Sequence, residues 1–431
     1  MMVRYFKQIF LDSVQALQFI TACRQLLLLC TAIIMARSSL SMSQIGFYEY
    51  ILLLGNGLSG FWVNGMIQAF LADKESFRIK LPIYSSLLFL LSMLLATLLG
   101  LILWIQSEFY ESSASQLIMA IAFLLFQVIG LVSEQLLVQH MKLKLSFWIT
   151  LLSTSFIGIA LIGLWIGDIS LADFIAIQAV VYFVKCFLIF SAFKLQWIYN
   201  LREILEVVRK VMKYSLYFVI SSLQPLIDGW LILWLTGQAQ LLAVYRYGAR
   251  EIPFLPAFSF SLGNASLPLL VQNQNVGLAQ LKVISRSLII KQSAIAFVFM
   301  FFAPIIIPFV FSKRFEESVL LFQIMLLAIP TRWVYSSTVM SACGYQSFLN
   351  RIAFIELIVN AILSIVLFYC LGLYGIALGT VIAYLLDKIL SVYFLSRRGI
   401  ALNSYCNINL IIMSFVVLGI LFVISHQIFV S

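Results

Sequence analysis

The chain has 431 residues, of which 63% are hydrophobic and 10% charged; soluble globular proteins carry about 25% charged and about 45–50% apolar residues. That composition excludes a soluble enzyme, a disordered scaffold and a nucleic-acid binder, even though 27 Lys and Arg against 17 Asp and Glu give a formal charge of +10. In a membrane protein such an excess reports topology rather than a polyanionic partner.

A bilayer-crossing helix needs roughly 20 apolar residues, and runs of that length recur along the chain. The N-terminal Met-Met-Val-Arg-Tyr-Phe-Lys stretch lacks a short h-region with a small-residue cleavage site, so the first apolar segment is expected to remain as a membrane helix. Six spans are predicted at 15–36, 45–71, 81–106, 114–139, 145–167 and 170–193. The longest connection then runs from Lys194 to Met212. Its Arg202, Glu203, Glu206, Arg209 and Lys210 read as an amphipathic helix on the membrane surface. Six more spans follow at 213–236, 241–271, 289–312, 318–342, 350–371 and 373–395, with a thirteenth apolar run at 408–429. The expected fold is an all-α polytopic membrane protein, with about 12 transmembrane helices in two six-helix lobes around a central cavity and an extra C-terminal membrane helix. The lobes are read as 1–200 and 201–398, with 399–431 as the addition.

The cations test this plan. The N-terminus and the loops after even-numbered spans hold 18 of the 27 Lys and Arg, the opposite loops hold Arg37, Lys313 and Arg314, and six lie inside spans. Lys and Arg favour cytoplasmic loops, so the N-terminus is expected in the cytoplasm. The two halves also echo each other. Gly46-Phe47-Tyr48-Glu49-Tyr50 opens span 2, Ala243-Val244-Tyr245-Arg246-Tyr247 opens span 8, and Glu49 coincides with Arg246 at an offset of 197. Repeats of six spans would share one orientation and place a substrate between them near the midplane.

The six intramembrane cations are Arg24, Lys185, Arg246, Arg250, Arg332 and Lys388; the acids are Glu49, Glu134, Asp228, Glu251, Glu356 and Asp387. A charge at the centre of a lone helix costs about 2.5–3.5 kcal/mol on insertion scales, so such groups face a polar interior. An interhelix ion pair is the structural reading for Asp387 and Lys388, Glu134 and Glu356, and competes evenly for Lys185. Arg24, Arg246, Arg250 and Arg332 lie at middle or outer depth and outnumber the nearby acids, which points to a cavity for an anion. Arginine suits that task because its fork is always charged and matches phosphate bidentately. Arg246 and Arg250, four apart, are expected on one helix face. Glu49, Asp228, Glu251 and Lys185 are candidate counter-ions or coupling groups. Pro225 in span 7, and Pro253, Pro256, Gly263 and Pro268 in span 8, mark interrupted helices of the kind that line cavities. Tyr245, Tyr247, Trp230, Trp234, Trp333 and Tyr335 are placed to stack on sugar faces. Two histidines, His140 and His426, and six cysteines without CxxC spacing offer no metal framework. No phosphate-binding Gly-rich loop is present, and no cofactor is expected.

These features resemble a family. Leu349 to Tyr393 is similar to the eleventh and twelfth spans of polysaccharide flippases of the multidrug/oligosaccharidyl-lipid/polysaccharide superfamily. Asn360 takes the place of that family's span-11 asparagine, and Leu371-Gly372-Leu373-Tyr374-Gly375-Ile376-Ala377 that of its glycine turn. Ile227-Asp228-Gly229-Trp230-Leu231-Ile232-Leu233 resembles the family's span-7 aspartate segment, and Ser43-Gln44-Ile45-Gly46-Phe47-Tyr48 its start of span 2. The similarity covers nearly all of the twelve-span core and points to the O-antigen (repeat-unit) branch. It implies outward flipping of undecaprenyl-diphosphate-linked oligosaccharide across a bacterial inner membrane by alternating access. Implied partners are that glycan lipid, membrane lipids and the polysaccharide polymerase and chain-length machinery, with a monomeric protein. Lipid II flippases of the same superfamily carry essential cavity arginines in spans 1 and 8, which places Arg24 and Arg246/Arg250 in corresponding spans. The thirteenth run departs from the twelve-span plan. Three alternatives compete. A MATE-type exporter of organic cations calls for an acidic cavity. A membrane glycosyltransferase or polymerase calls for a large outer loop, and a major-facilitator carrier for a glycine-patterned loop after span 2, where Asp73, Lys74, Arg78 and Lys80 stand.

Overall fold

The computed structural model describes residues 13–72, 81–105, 114–139, 143–191, 201–250, 252 and 255–429. Among them the chain is helical throughout, without strands. Six helices come first: α1 Ser13–Arg37, α2 Met42–Ala72, α3 Leu81–Ile105, α4 Ala114–Gln139, α5 Leu143–Ile166 and α6 Leu171–Ser191. Then follow α7 Leu201–Thr236, α8 Ala239–Gly248, α9 Leu255–Gln272, α10 Gln274–Phe311, α11 Ser318–Leu326 and α12 Ser336–Ala342. The last three are α13 Gln346–Leu371, α14 Leu373–Arg397 and α15 Ile408–Phe429. Eight helical segments among the described residues are long and apolar enough to cross a membrane, α15 included.

Three boundaries differ from the sequence reading. The charged segment after Leu201 is not a separate surface helix: it is the first third of α7, one 36-residue helix. No Gly or Pro interrupts 201–224, so nothing local stops it. Span 9 begins earlier, because α10 runs 38 residues from an N-cap at Asn273, whose side chain accepts from the Val276 N–H at 3.3 Å. Span 10 is broken into α11, a 3-10 turn at Ile329–Trp333 containing Pro330, and α12.

Local chemistry fixes several starts. Ser41 and Gln44 form a reciprocal capping box at α2, with the Gln44 N–H donating to Ser41 Oγ at 3.2 Å and the Ser41 N–H to Gln44 Oε1 at 2.9 Å. Ser170 and Asp173 repeat it at α6. Gly372 turns α13 into α14 with φ +60. At Gly375 an added Cβ would stand 2.1 Å from the Leu367 carbonyl oxygen, so glycine lets the two helices touch backbone to backbone.

The chain forms two compact units: Met1–Leu226 with Gly237–Gln240, and Ile227–Thr236 with Leu241–Ser431. In the first, α4 packs on α2, α3 and α6, and α1 on α5. Tyr48 stacks near Phe123 and accepts from Gln178 Nε2 at 3.0 Å. In the second, α13 and α14 form a tight hairpin and α15 lies along α10. Its core gathers Trp333, Tyr335, Ile289, Tyr405, Cys406 and Ile411. Polarity is inverted relative to a soluble protein. Large apolar groups such as Phe156, Ile159, Phe309 and Val416 are exposed, whereas Glu49, Glu134, Lys185, Asp228 and Asp387 are buried. A lipid solvent accounts for both.

Candidate functional site

The second unit holds two polar constellations. The first is built on helix breaks. α8 stops at Gly248, which packs so closely on Leu321 that a Cβ would lie 2.5 Å from it. Arg250 therefore sits beyond the helix end, and the shared helix face expected for Arg246 and Arg250 does not form. The Arg250 guanidinium lies over the Tyr247 ring at 5.1 Å. Arg332 rides on the 3-10 turn that interrupts span 10, its guanidinium 4.7 Å from the Tyr384 ring centroid. The two arginines face one cavity, with Ser259 and Gln292 as its other polar walls and Leu255, Phe322, Met325 and Leu326 as apolar ones. Its volume is about 20 Å³, room for one water molecule.

The second constellation surrounds Asp228, 7% exposed, on α7. Tyr245 Oη of α8 donates to Oδ2 at 3.1 Å, Asn360 Nδ2 of α13 to Oδ1 at 3.1 Å, and Thr380 Oγ1 of α14 approaches Oδ2 at 3.0 Å. Thr380 also lies 3.2 Å from Asn360 Oδ1, and Ser364 Oγ lies 3.1 Å from that same oxygen. A hydroxyl carries one proton, so Thr380 cannot serve both acceptors at once. Each acceptor nonetheless meets a donor, because Asn360 serves Asp228 Oδ1, Tyr245 serves Oδ2 and Ser364 serves Asn360 Oδ1. Arg246 acts electrostatically on the same carboxylate, so it belongs with Asp228 rather than with the cavity of Arg250 and Arg332.

The first unit holds Arg24, Glu49 and Lys185. Lys185 Nζ donates to Glu134 Oε1 at 3.0 Å, and the Thr150 hydroxyl donates to that same oxygen. Lys185 thus stands in an interhelix ion pair of α4 and α6. Arg24 Nε and Glu134 Oε2 are buried without a protein hydrogen-bond partner among the described residues. Glu49 is 2% exposed on α2. Asp387 and Lys388 pair with each other at 2.7 Å as neighbours on α14, within one helix rather than between helices as expected. Glu251 lies outside the described residues, as do Asp73, Lys74, Arg78 and Lys80. Of the aromatic candidates, Tyr245, Tyr247, Trp333 and Tyr335 are buried in packing and Trp230 and Trp234 are exposed, so the first four do not present a ring face for stacking. Sequence reasoning missed Gln292, Ser259 and Thr380, which are polar positions inside apolar runs. No group of three or more His, Cys, Asp or Glu that could hold a metal occurs among the described residues.

No family model matches the chain, and no curated protein matches it significantly in sequence. Solved structures do match in fold. A structure described as the lipid II flippase MurJ in an inward closed conformation superposes with a TM-score of 0.70 at 16% identity, covering 96% of this chain and 98% of that one. An inward-facing multidrug resistance MATE transporter of the MOP superfamily gives 0.63 at 15% identity over 88% and 95%. A MOP superfamily transporter from Pyrococcus furiosus, described as having a binding pocket of reversed polarity, gives 0.56 at 15% identity over 91% and 97%. The chain thus has the fold of the MOP transporters, in two compact units of membrane helices. These three structures are a flippase and two transporters.

Proposed function

We propose that the protein is a flippase that moves undecaprenyl-diphosphate-linked oligosaccharide, an O-antigen or other surface-polysaccharide repeat unit, from the cytoplasmic to the outer leaflet of a bacterial inner membrane. The observation that carries this reading is the pairing of Arg250 and Arg332 on two helix breaks around one cavity, in a fold shared with a lipid II flippase. Two guanidinium forks suit a diphosphate. In the proposed cycle a six-helix lobe, 1–200, and a second, 201–398, alternate access to a central cavity, with 399–431 as an added membrane helix. Arg250 and Arg332 grip the diphosphate, while Arg246 serves Asp228. Sugar hydroxyls travel in the polar interior, because in lipid their hydrogen bonds would go unmet. The prenyl tail stays in the bilayer. Asp228, in its hydrogen-bonded cluster, is the coupling group, with Glu49 and Glu251 as counter-ions to the arginines, while Lys185 stays paired with Glu134. The N-terminus is cytoplasmic, the protein works as a monomer, and polymerase and chain-length proteins receive the product.

The test is flipping of a fluorescent undecaprenyl-diphosphate-linked sugar in proteoliposomes. Arg250→Ala with Arg332→Ala is expected to lower the rate at least about a hundredfold, since each lost charge-assisted contact is worth about 1.5–3 kcal/mol. Wild-type flipping by that variant would remove the central assignment. A second reading, export of small molecules, is favoured by the MATE fold match. Transport of organic cations, with no flipping of the glycan lipid, would establish it instead.

A further inference from the structure

Gln292 lies in the middle of α10 and is 2% exposed. Its amide touches both broken spans. Oε1 accepts from Ser259 Oγ at 3.0 Å and from Trp333 Nε1, while Nε2 donates to the Leu255 carbonyl at 2.8 Å. An indole N–H can only donate and a carbonyl can only accept, so this amide has one possible orientation. Leu255 and Ser259 form the first turn of α9, just past the interruption that carries Arg250. Trp333 closes the 3-10 turn, directly after Arg332. It is fully buried, and its carbonyl accepts from Cys406 Sγ at 3.7 Å. Gln292 also lines the arginine cavity itself. One side chain therefore joins the two interruptions at the point where both arginines emerge.

We propose that Gln292 is a positioning residue for the anion site: it locks the first turn of α9 to the 3-10 turn of span 10 and so sets the spacing and aim of Arg250 and Arg332. The inference rests on the reading of that arginine pair as a diphosphate site. The physical need is specific. Both arginines stand on backbone that has left the regular helical ladder, so no continuous run of backbone hydrogen bonds fixes their spacing. Bidentate recognition demands that two forks keep a fixed relation. Glutamate at this position would still accept from Trp333 and Ser259, but it would lose the bond to Leu255 and set a negative charge beside the arginines. Leucine matches the volume and removes all three bonds. Asparagine is one methylene short.

The experiment uses the full chain in nanodiscs, as wild type, Gln292→Leu, Arg250→Ala/Arg332→Ala and the triple variant. Two quantities are measured: amide hydrogen exchange, and affinity for undecaprenyl diphosphate. In Gln292→Leu, exchange is expected to rise at 255–259 and at 329–333 together and to stay unchanged in the α13–α14 hairpin. Affinity is expected to fall about tenfold, and the same substitution in the arginine-free background should add nothing. Exchange that is unchanged, or raised across the whole unit, overturns the proposal, as does an additive loss in the triple variant. If the arginine double variant binds like wild type while Gln292→Leu still loosens both segments, the diphosphate reading falls and the junction is upheld. Should Gln292→Leu not fold, Trp333→Phe removes one of the three bonds, keeps an aromatic ring, and carries the same comparison.

Discussion

Asp228 is held by neutral donors from three helices, Tyr245, Asn360 and Thr380, rather than by a direct ion pair with any of them. Neutral donors solvate a carboxylate without neutralising it, and the Arg246 charge acts on the same group. Asp228→Asn keeps the size and the acceptor toward Tyr245 and Thr380 but removes the ionisable group and the acceptor toward Asn360. The expected outcome is a folded protein whose transport in proteoliposomes no longer responds to a pH or sodium gradient across the membrane. A gradient response identical to wild type would remove Asp228 from the coupling role. Sequence resemblance singled out Asp228 and Asn360 separately, 132 residues apart. It did not join them, since a polar residue in an apolar run says that a partner is needed and not which helix provides it. Thr380 was hidden for that reason, and so was Gln292 in the polar Lys291-Gln292-Ser293 trio of α10.

At the scale of elements, the α13–α14 hairpin shows how much of the packing rests on absent side chains. Gly375 faces the Leu367 carbonyl, and Gly379 would place a Cβ 2.8 Å from the Ser364 N–H nitrogen. Backbone atoms cannot rotate aside as a side-chain end can, so Gly375→Ala must push the helices apart. The expected cost is about 1–3 kcal/mol, and the separation would also disturb Asn360 and Thr380, which sit across this contact. Gly419→Ala on α15 is the control, because nothing lies within 4 Å of its added Cβ, and there alanine should be neutral or stabilise by about 0.5–1 kcal/mol. Thermal unfolding in detergent distinguishes the two; equal effects would refute the packing argument. The glycine turn was legible as a motif, and the helix–turn–helix it implies is what forms. The continuous α7 was less so: its charged first turns carry the composition of an interfacial helix, and composition does not reveal whether the backbone continues. The breaks at Arg250 and Arg332 divide along similar lines. Pro253 and Pro256 announced the first, whereas Pro330 was one proline in an otherwise apolar span.

For the molecule as a whole, the 27 cations behind the +10 charge divide by position. Eighteen flank spans on one face of the predicted topology, three lie on the other, and six fall inside predicted spans. In the proposed reading the flanking set orients the N-terminus toward the cytoplasm, and the set inside the spans favours an anionic cargo. The proposed orientation and cargo together predict a voltage dependence. Moving one elementary charge across 100 mV is worth roughly 2.3 kcal/mol, so an inside-negative potential drives a diphosphate dianion outward by about twice that if its charges travel uncompensated. A coupling proton or cation moving inward through Asp228 would add to the drive, because it carries positive charge down the same field. Proteoliposomes with a potassium diffusion potential can separate these contributions. With wild-type protein, flipping toward the positive side should accelerate as the potential grows. Asp228→Asn should retain the part of that dependence that belongs to the dianion and lose the part that belongs to the coupling ion. A rate indifferent to potential in both proteins would mean that the arginines cross with the diphosphate as one neutral unit, and the electrical contribution to outward flipping would be withdrawn.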